Sequence, residues 1–320
     1  MLIKIFAGDD AILLTYDNLP TTAQTPITAL DTFEEAHSSM TIYLHEFILF
    51  LNSIDSSIRR NIYDLQTIVN KHTALRDRHI AWCKAFDVLL EQGPIASASD
   101  VAKLQVWRTL VDMTLELDIA LGEMAWDGKI ETFRKVVSFV EIVIEEQPKG
   151  RATSSGTKMT STYVSGPYMP GMSPISQHED ATPSEPSPLS FPETDYCQSV
   201  TSSKPIFSLD LGIITPLYVV VSRCRDPAIR RRGLQLLASC NRREGIWDST
   251  LTARVAERII AIEESGATSH PVIYASQIPE RARIRDLTTK FGIDCQGLIR
   301  YTKSVDCVGV NDKYEELLEW

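Results

Sequence analysis

The sequence of 320 residues lacks the cysteine spacing of a zinc knuckle or a disulfide-rich domain. Its six cysteines are scattered along the chain, and no two of them form a C-x-x-C pair: Cys83, Cys197, Cys224, Cys240, Cys295 and Cys307. This usage is typical of a protein from a reducing compartment. We therefore expect neither a disulfide framework nor a cysteine-built metal site.

Long apolar runs are also missing. No stretch approaches the eighteen or so uninterrupted apolar residues that a membrane span requires. The apolar start of the chain is broken by Asp9 and Asp10, and no small-residue cleavage site follows, so a signal peptide is not indicated. We expect a soluble, intracellular protein without a membrane segment.

Positive charge is in deficit, with a formal net charge of -10. A chain that binds nucleic acid gains most of its affinity from cations that replace counterions on phosphates. An acidic chain therefore has no general affinity for a polyanion. Any contact with DNA would need a local basic patch.

Catalytic signatures are absent. There is no Gly-x-Ser-x-Gly elbow, and the HEFIL segment at His45 has Leu49 where a zinc protease requires its second histidine. Residues 150–158 have five residues between their glycines rather than the four of a phosphate loop. We predict no catalytic residue, no cofactor and no enzyme activity.

The remaining histidines and cysteines favour ordinary structural roles. His72 and His79 lie seven residues apart, and two imidazoles do not close a metal site, so we expect a solvated helix surface. Cys83 and Cys240 lie on apolar faces without an evident base nearby, as inert buried thiols do. No metal ligand is predicted.

Helical periodicity dominates residues 31–147. Apolar residues recur at steps of three and four in a first helix from Asp31 or Thr32, and further helices are predicted over 57–91, after the SASD cap at 97–100, and over 127–146. Residues 148–206 hold nine of the sixteen prolines amid serine and threonine, which predicts a disordered insert. We thus expect an uncertain lead (1–30), a helical part (31–147), the insert (148–206) and a second helical part (207–320), in an all-α fold. The tail after residue 278 alternates in part and allows an extended segment.

Six arginines within residues 224–247 raise the question of a basic surface that reads nucleic acid. Asp226 and Pro227 are typical of a helix start, and the apolar stripe that follows includes Gly233, whose cost to the helix suggests a close neighbouring helix. Against that stripe, Arg230, Arg231 and Arg232 fan around the polar side instead of sharing one face, as a groove-reading helix would require. This pattern favours a structural role for the arginines.

A turn follows this helix. Gly245 is suited to a left-handed conformation, and Asp248 or Ser249 to capping the next helix. Trp247 is placed to anchor the corner. Arg242, Arg243 and Glu244 are expected at the C-terminal end of the preceding helix, where cations meet its dipole.

These residues resemble the C-terminal segment of fungal-specific transcription regulators of the binuclear zinc cluster class. The similar positions, in chain order, are Pro216, Leu217, Tyr218, Cys224, Arg225, Asp226, Pro227, Arg230, Arg231, Arg242, Arg243, Glu244, Gly245, Trp247 and Asp248. The resemblance covers about residues 31–147 and 207–300, with IPERARI (278–284) and Glu123, Trp126 and Asp127 as further similar positions.

The resemblance implies an all-helical regulatory domain in a nuclear protein that controls a metabolic or secondary-metabolite gene cluster. The six-cysteine zinc cluster of that class does not occur in the sequence, so we expect a shortened regulator that acts through other regulators or a small effector rather than by binding DNA directly. A helical ligand-binding protein or enzyme of a biosynthetic cluster, and a truncated inactive regulator, remain the alternatives. Target genes, effector and oligomeric state are not specified by the sequence.

Overall fold

A computed structural model describes residues 29–60, 64–93, 96–146, 206–208, 211–291, 296–303 and 313–319. These residues, from both sides of the proline-rich stretch, belong to one compact unit. The predicted disordered insert and the glycine-containing segment 150–158 lie outside the described residues, apart from Ile206, which begins a short strand.

The described chain is mostly helical, as the sequence predicts. Its α-helices are α1 (Phe33–Arg60), α2 (Leu65–Glu91), α3 (Ala98–Leu115), α4 (Ile130–Glu145), α5 (Ile214–Arg223), α6 (Pro227–Ser239) and α7 (Ser249–Ser265). A 3-10 segment, Ile119–Lys129, leads into α4, and two short 3-10 turns follow α7 at Ala275–Gln277 and Glu280–Ala282. Among the described residues, no helix is both long and apolar enough to cross a membrane.

Caps explain where the N-terminal helices begin. Thr32 accepts a hydrogen bond from the amide of Glu35 at 3.1 Å, and Ser97 accepts one from the amide of Asp100 at 3.1 Å. The predicted helix over 57–91 is wrong at its start, since α1 continues to Arg60 and α2 begins only at Leu65. Asp64 provides the new start, because its carboxylate accepts from the amide of Gln66.

Strands form the part of the fold that the all-α prediction missed. β4 (Ile284–Phe291), β5 (Gln296–Lys303) and β6 (Lys313–Glu319) make an antiparallel sheet in the order β4-β5-β6. Its buried face packs on α5 and α7, and includes Ile284, Leu287, Ile299 and Tyr301. In β5 the buried residues recur with period two, whereas in β4 an irregularity between Ile284 and Asp286 interrupts the alternation.

A second, small sheet lies beside the arginine-rich segment. β1 (Ile206–Ser208) pairs in parallel with β2 (Arg242–Glu244), which pairs antiparallel with β3 (Trp247–Asp248). Gly245 turns the chain between β2 and β3 with φ of 58°, the left-handed conformation that its sequence position predicts.

Two main clusters make up the apolar core. One joins α1, α2 and α3 through side chains such as Met40, Trp82 and Phe86, and the other joins α3 to α7 around Phe133 and Leu217. Gly233 of α6 lies at the contact with α5, as predicted, since a Cβ atom there would come within 3.2 Å of both Val220 and Val221. The close approach of α6 to α5 fixes the position of the arginine-rich segment within the core.

Candidate functional site

The arginine-rich segment occupies the junction of α5, α6 and α7. Asp226 caps α6, accepting hydrogen bonds from the amides of Ala228 at 3.1 Å and Ile229 at 3.0 Å, with Pro227 in the first turn. This start was predicted from the sequence. The preceding residue, Arg225, is buried.

Glu263 of α7 lies at the centre of this junction and is fully buried. Arg225 donates to its Oε1 at 2.8 Å, Arg230 donates to its Oε2, and the amide of Ile284 donates to Oε1 at 2.8 Å. Burial alone would raise the pKa of the Glu263 carboxyl. The two arginine charges outweigh burial and hold that pKa at about 2.

Arg225 connects Glu263 to a second buried carboxylate, Glu123. Its Nη2 lies 3.1 Å from Glu123 Oε2, and Arg223 donates to Glu123 Oε1 at 2.7 Å. Burial disfavours the charge of Arg225, but the carboxylates of Glu263 and Glu123 raise its pKa above the ordinary arginine value. The 3-10 segment Ile119–Lys129, which contains Glu123, is therefore tied to the ends of α5 and α7.

Arg283 makes further contacts with the same 3-10 segment. It is fully buried and donates to both oxygens of Asp127, at 2.8 and 2.7 Å, and to the carbonyl of Glu123 at 3.1 Å. Such paired contacts fix the orientation of a guanidinium. We use "buried ion network" for Glu123, Asp127, Arg223, Arg225, Arg230, Glu263 and Arg283.

A neighbouring pair, Arg242 and Glu244 in β2, is also buried. Glu244 accepts from the amides of Ile213 at 3.0 Å and Ile214 at 2.8 Å, so its carboxylate meets the first amides of α5. Arg242 Nε lies 3.0 Å from Glu244 Oε1 as an ion pair, in an orientation that does not form a hydrogen bond. A side chain at Gly212 would collide with this carboxylate, its Cβ lying 2.0 Å from Oε2.

The prediction for Arg242, Arg243 and Glu244 is therefore wrong in detail. They form a strand whose Glu244 caps α5. They do not lie at the C-terminal end of α6 as charges that meet its dipole. The physical reason is that α6 stops at Ser239 and Asn241 turns the chain with φ of 40°. The following residues then extend along β1.

The predicted position of the α6 arginines on the polar side of the helix is wrong for one of them. Arg230 does not lie on the polar side of α6 but is fully buried, because Glu263 offers a charged partner inside the core. Arg231 and Arg232 are exposed, and they donate to Glu264 at 2.9 Å and to Glu141 at 2.7 Å. Five of the six arginines thus pair with glutamates of this same chain, as the structural role predicted from the sequence requires.

The remaining residues of the resemblance lie around this junction. Pro216, Leu217 and Tyr218 are buried in α5, and Cys224 is buried at its C-terminal end. Burial raises the pKa of the Cys224 thiol to about 12, so this cysteine is an inert core residue. Trp247 is half-buried, with its ring 5.9 Å from that of Tyr218.

Sequence reasoning included Glu123, Asp127 and Arg283 only through the resemblance, and it missed Glu263. The signal for Glu263 was present: the residue follows Ile259 by four positions and so lies on the apolar face of α7. A carboxylate on an apolar face needs a buried cation. The nearby arginine-rich segment was the obvious source.

The sequence prediction for His79 is wrong. His79 of α2 is only 1% exposed, and its Nε2 lies 2.9 Å from Asp112 Oδ1 of α3 and 3.4 Å from Cys83 Sγ. Cys83 is buried as predicted, but the His79 imidazole lies beside it, whereas no base was expected there. Burial raises the pKa of the Cys83 thiol to about 12, which makes it a poor nucleophile. His72 is also partly buried, and its Nε2 lies 3.1 Å from the carbonyl of Leu115.

Comparison with known proteins supports a regulatory relationship. No family model matches the chain, and no solved structure matches it with significance. The chain is 26% identical, over 343 aligned positions, to the aspercryptin biosynthesis cluster-specific transcription regulator atnN of Emericella nidulans. The alignment covers 96% of the chain but 55% of that relative, so the chain spans about half the length of the curated protein it matches. The chain is thus similar, along nearly its whole length, to part of a transcription regulator of a biosynthetic cluster.

Proposed function

We propose that this chain is a regulatory region of a nuclear transcription regulator that controls a biosynthetic gene cluster. The observation that carries the proposal is the similarity to a cluster-specific regulator over 96% of the chain. The same similarity favours a non-enzymatic role. The aspercryptin cluster is that of the relative, and we do not assign it to this chain.

The contacts of the arginine-rich segment support action through protein partners or a small effector rather than through DNA. Arg225 and Arg230 are fully buried on Glu263, and Arg231 and Arg232 are paired with surface glutamates. A guanidinium already paired with a carboxylate has little to offer a phosphate, since DNA affinity depends on cations that are free to replace counterions. The net charge of -10 also lowers the affinity of the chain for DNA.

A reporter assay tests the regulatory role. The chain is fused to an unrelated DNA-binding domain and placed upstream of a reporter gene, and expression is compared with that of the DNA-binding domain alone. We expect a change in expression that Glu263→Gln abolishes and that the neighbouring surface variant Glu264→Gln leaves intact. An unchanged reporter, with the fusion present and folded, contradicts the proposal.

A binding assay tests the mode of action. Fluorescence anisotropy of labelled duplexes from cluster promoters is measured with the purified chain, with and without about 200 mM salt. We expect no binding that survives the salt. Salt-resistant binding that is lost in the triple variant Arg231→Gln, Arg232→Gln, Arg243→Gln would overturn action through partners and assign this surface to DNA.

A further inference from the structure

A second cluster of polar side chains lies far along the chain from the buried ion network, between α2 and α3. His79 and Cys83 lie one turn apart on the same face of α2, and Asp112 approaches them from α3. One nitrogen, one sulfur and one oxygen atom of these residues all lie within 4.8 Å of one another. Nothing in the arginine-rich segment or in the regulatory role requires this arrangement.

The distances within the cluster are those of metal ligands. Tetrahedral zinc, with ligand bonds of about 2.0–2.3 Å, separates a nitrogen from an oxygen by about 3.3 Å and from a sulfur by about 3.5 Å. Here His79 Nε2 lies 2.9 Å from Asp112 Oδ1 and 3.4 Å from Cys83 Sγ. To match the nitrogen–oxygen separation, the carboxylate moves away from His79 by a few tenths of an ångström, and its side chain is 49% exposed. Its oxygen lies within 4.8 Å of Cys83 Sγ.

Without a cation, the hydrogen-bonding groups of the cluster are not all satisfied. Asp112 and Cys83 both approach the same nitrogen of His79, Nε2. In the tautomer with its proton on Nε2, this nitrogen donates a well-aligned hydrogen bond to only one of them. Nδ1 of the same ring is buried and has no hydrogen-bond partner among the described residues, and an ion at Nε2 leaves this unchanged. A cation between the three atoms instead engages a lone pair from each of them.

The charges around the cluster are balanced, which leaves room for a divalent ion. Arg108 lies beside the Cys83 thiol, but it is paired with Asp87, with a contact of 2.8 Å between Nη2 and Oδ2. On the other side, Arg78 stacks over the Tyr43 ring and is paired with Glu46. The thiolate of Cys83 and the carboxylate of Asp112 then neutralise a charge of +2.

We propose that His79, Cys83 and Asp112 form a zinc site that joins α2 to α3. A set of imidazole, thiolate and carboxylate favours zinc over the hard ions magnesium and calcium. Binding releases the thiol proton of Cys83 to solvent, moves the ring proton of His79 to Nδ1, and leaves the fourth position of the ion open on the side of Asp112. Because Nδ1 has no acceptor among the described residues, we expect an affinity about 10- to 100-fold below that of a site with one.

Cobalt and zinc, added alone to the chelator-treated full chain, test the site. We expect one equivalent of Co²⁺ to produce a thiolate-to-cobalt charge-transfer band and the visible bands of tetrahedral cobalt, both removed by one equivalent of Zn²⁺. Native mass spectrometry then shows one zinc per chain. The absence of a thiolate band in the folded chain overturns the proposal.

Matched variants separate this site from the other cysteines. Cys83→Ser removes the charge-transfer band, whereas Cys240→Ser, at another buried thiol, retains it. A band that persists in folded Cys83→Ser overturns the proposal. Should Cys83→Ser not fold, Asp112→Asn decides, because this half-exposed residue is replaced without disturbing the core: we expect cobalt affinity to fall about tenfold or more, and unchanged affinity overturns the site.

Discussion

The two sides of the described chain are held together by different kinds of core. In α1, α2 and α3 the contacts are mainly apolar, with Trp82 stacked on Phe86 at 4.8 Å between ring centroids, apart from the cluster of His79, Cys83 and Asp112. At the junction of α5, α6 and α7 the core contains the buried ion network, centred on Glu263. Apolar contacts are non-directional and depend on volume, whereas buried ion pairs depend on every partner being present.

This difference indicates what each core contributes. Replacing a buried ion pair by apolar residues is often neutral, so the network is weak evidence for high stability. It does determine which chain segments meet, because Glu123 and Glu263 come from distant parts of the sequence and share Arg225 only in this arrangement. We therefore expect the two cores to respond differently to conservative substitutions.

Glu263→Gln should have the largest effect. The substitution keeps the size of the side chain but leaves Arg225 and Arg230 buried with one carboxylate fewer, and such losses destabilise by about 3–5 kcal/mol. Urea denaturation followed by circular dichroism gives the free energy of unfolding of both chains, and the difference measures this loss of stability. A loss below about 1 kcal/mol, typical of an exposed pair, would remove the distinction between the two cores.

Acid should weaken the same core. Because the pKa of Glu263 is about 2 in the folded chain and 4.5 ordinarily, its contribution is fully present above pH 4.5 and is lost as the pH falls toward 2.

Thermal unfolding of the wild-type chain and Glu263→Gln, compared between pH 6 and pH 3, follows this loss. We expect the two stabilities to converge as the pH falls. A difference that stays constant over this range would show that Glu263 does not titrate as its arginine partners require.

The apolar core should tolerate a conservative change better. Phe86 is fully buried, and Phe86→Leu preserves its hydrophobic character while removing part of its volume and the ring contact with Trp82. We expect a loss of about 1–2 kcal/mol, from urea denaturation under the same conditions. A loss equal to that of Glu263→Gln would mean that both cores are equally specific.

The sequence predicted the parts of the fold that depend on neighbouring residues. The caps at Ser97 and Asp226, the left-handed Gly245 and the close contact at Gly233 all follow from local chemistry, and the structure confirms them. A structural role for most of the arginines, as partners at helix ends and between helices, was also predicted. Each of these features is decided within a few turns of the chain.

The residues that the sequence misplaced have partners far away. Arg230 was expected on a polar face, and only Glu263, 33 residues further on, explains its burial. His79 was expected on a solvated surface, but α3 brings Asp112 against it. Periodicity describes one helix at a time and does not identify the charged residue that a neighbouring helix supplies.

The smallest effect is expected at the surface of the same junction. Arg231 and Glu264 form an ion pair at 2.9 Å whose arginine side chain is 48% exposed, next in sequence to the buried pair of Arg230 and Glu263. Solvent and salt screen such a pair, so Glu264→Gln should cost less than about 1 kcal/mol. A double-mutant cycle with Arg231→Gln measures the coupling, which should fall further in high salt. A coupling as large as the loss from Glu263→Gln would show that exposure does not separate the two pairs, and that the whole arginine-rich segment acts as one cooperative network.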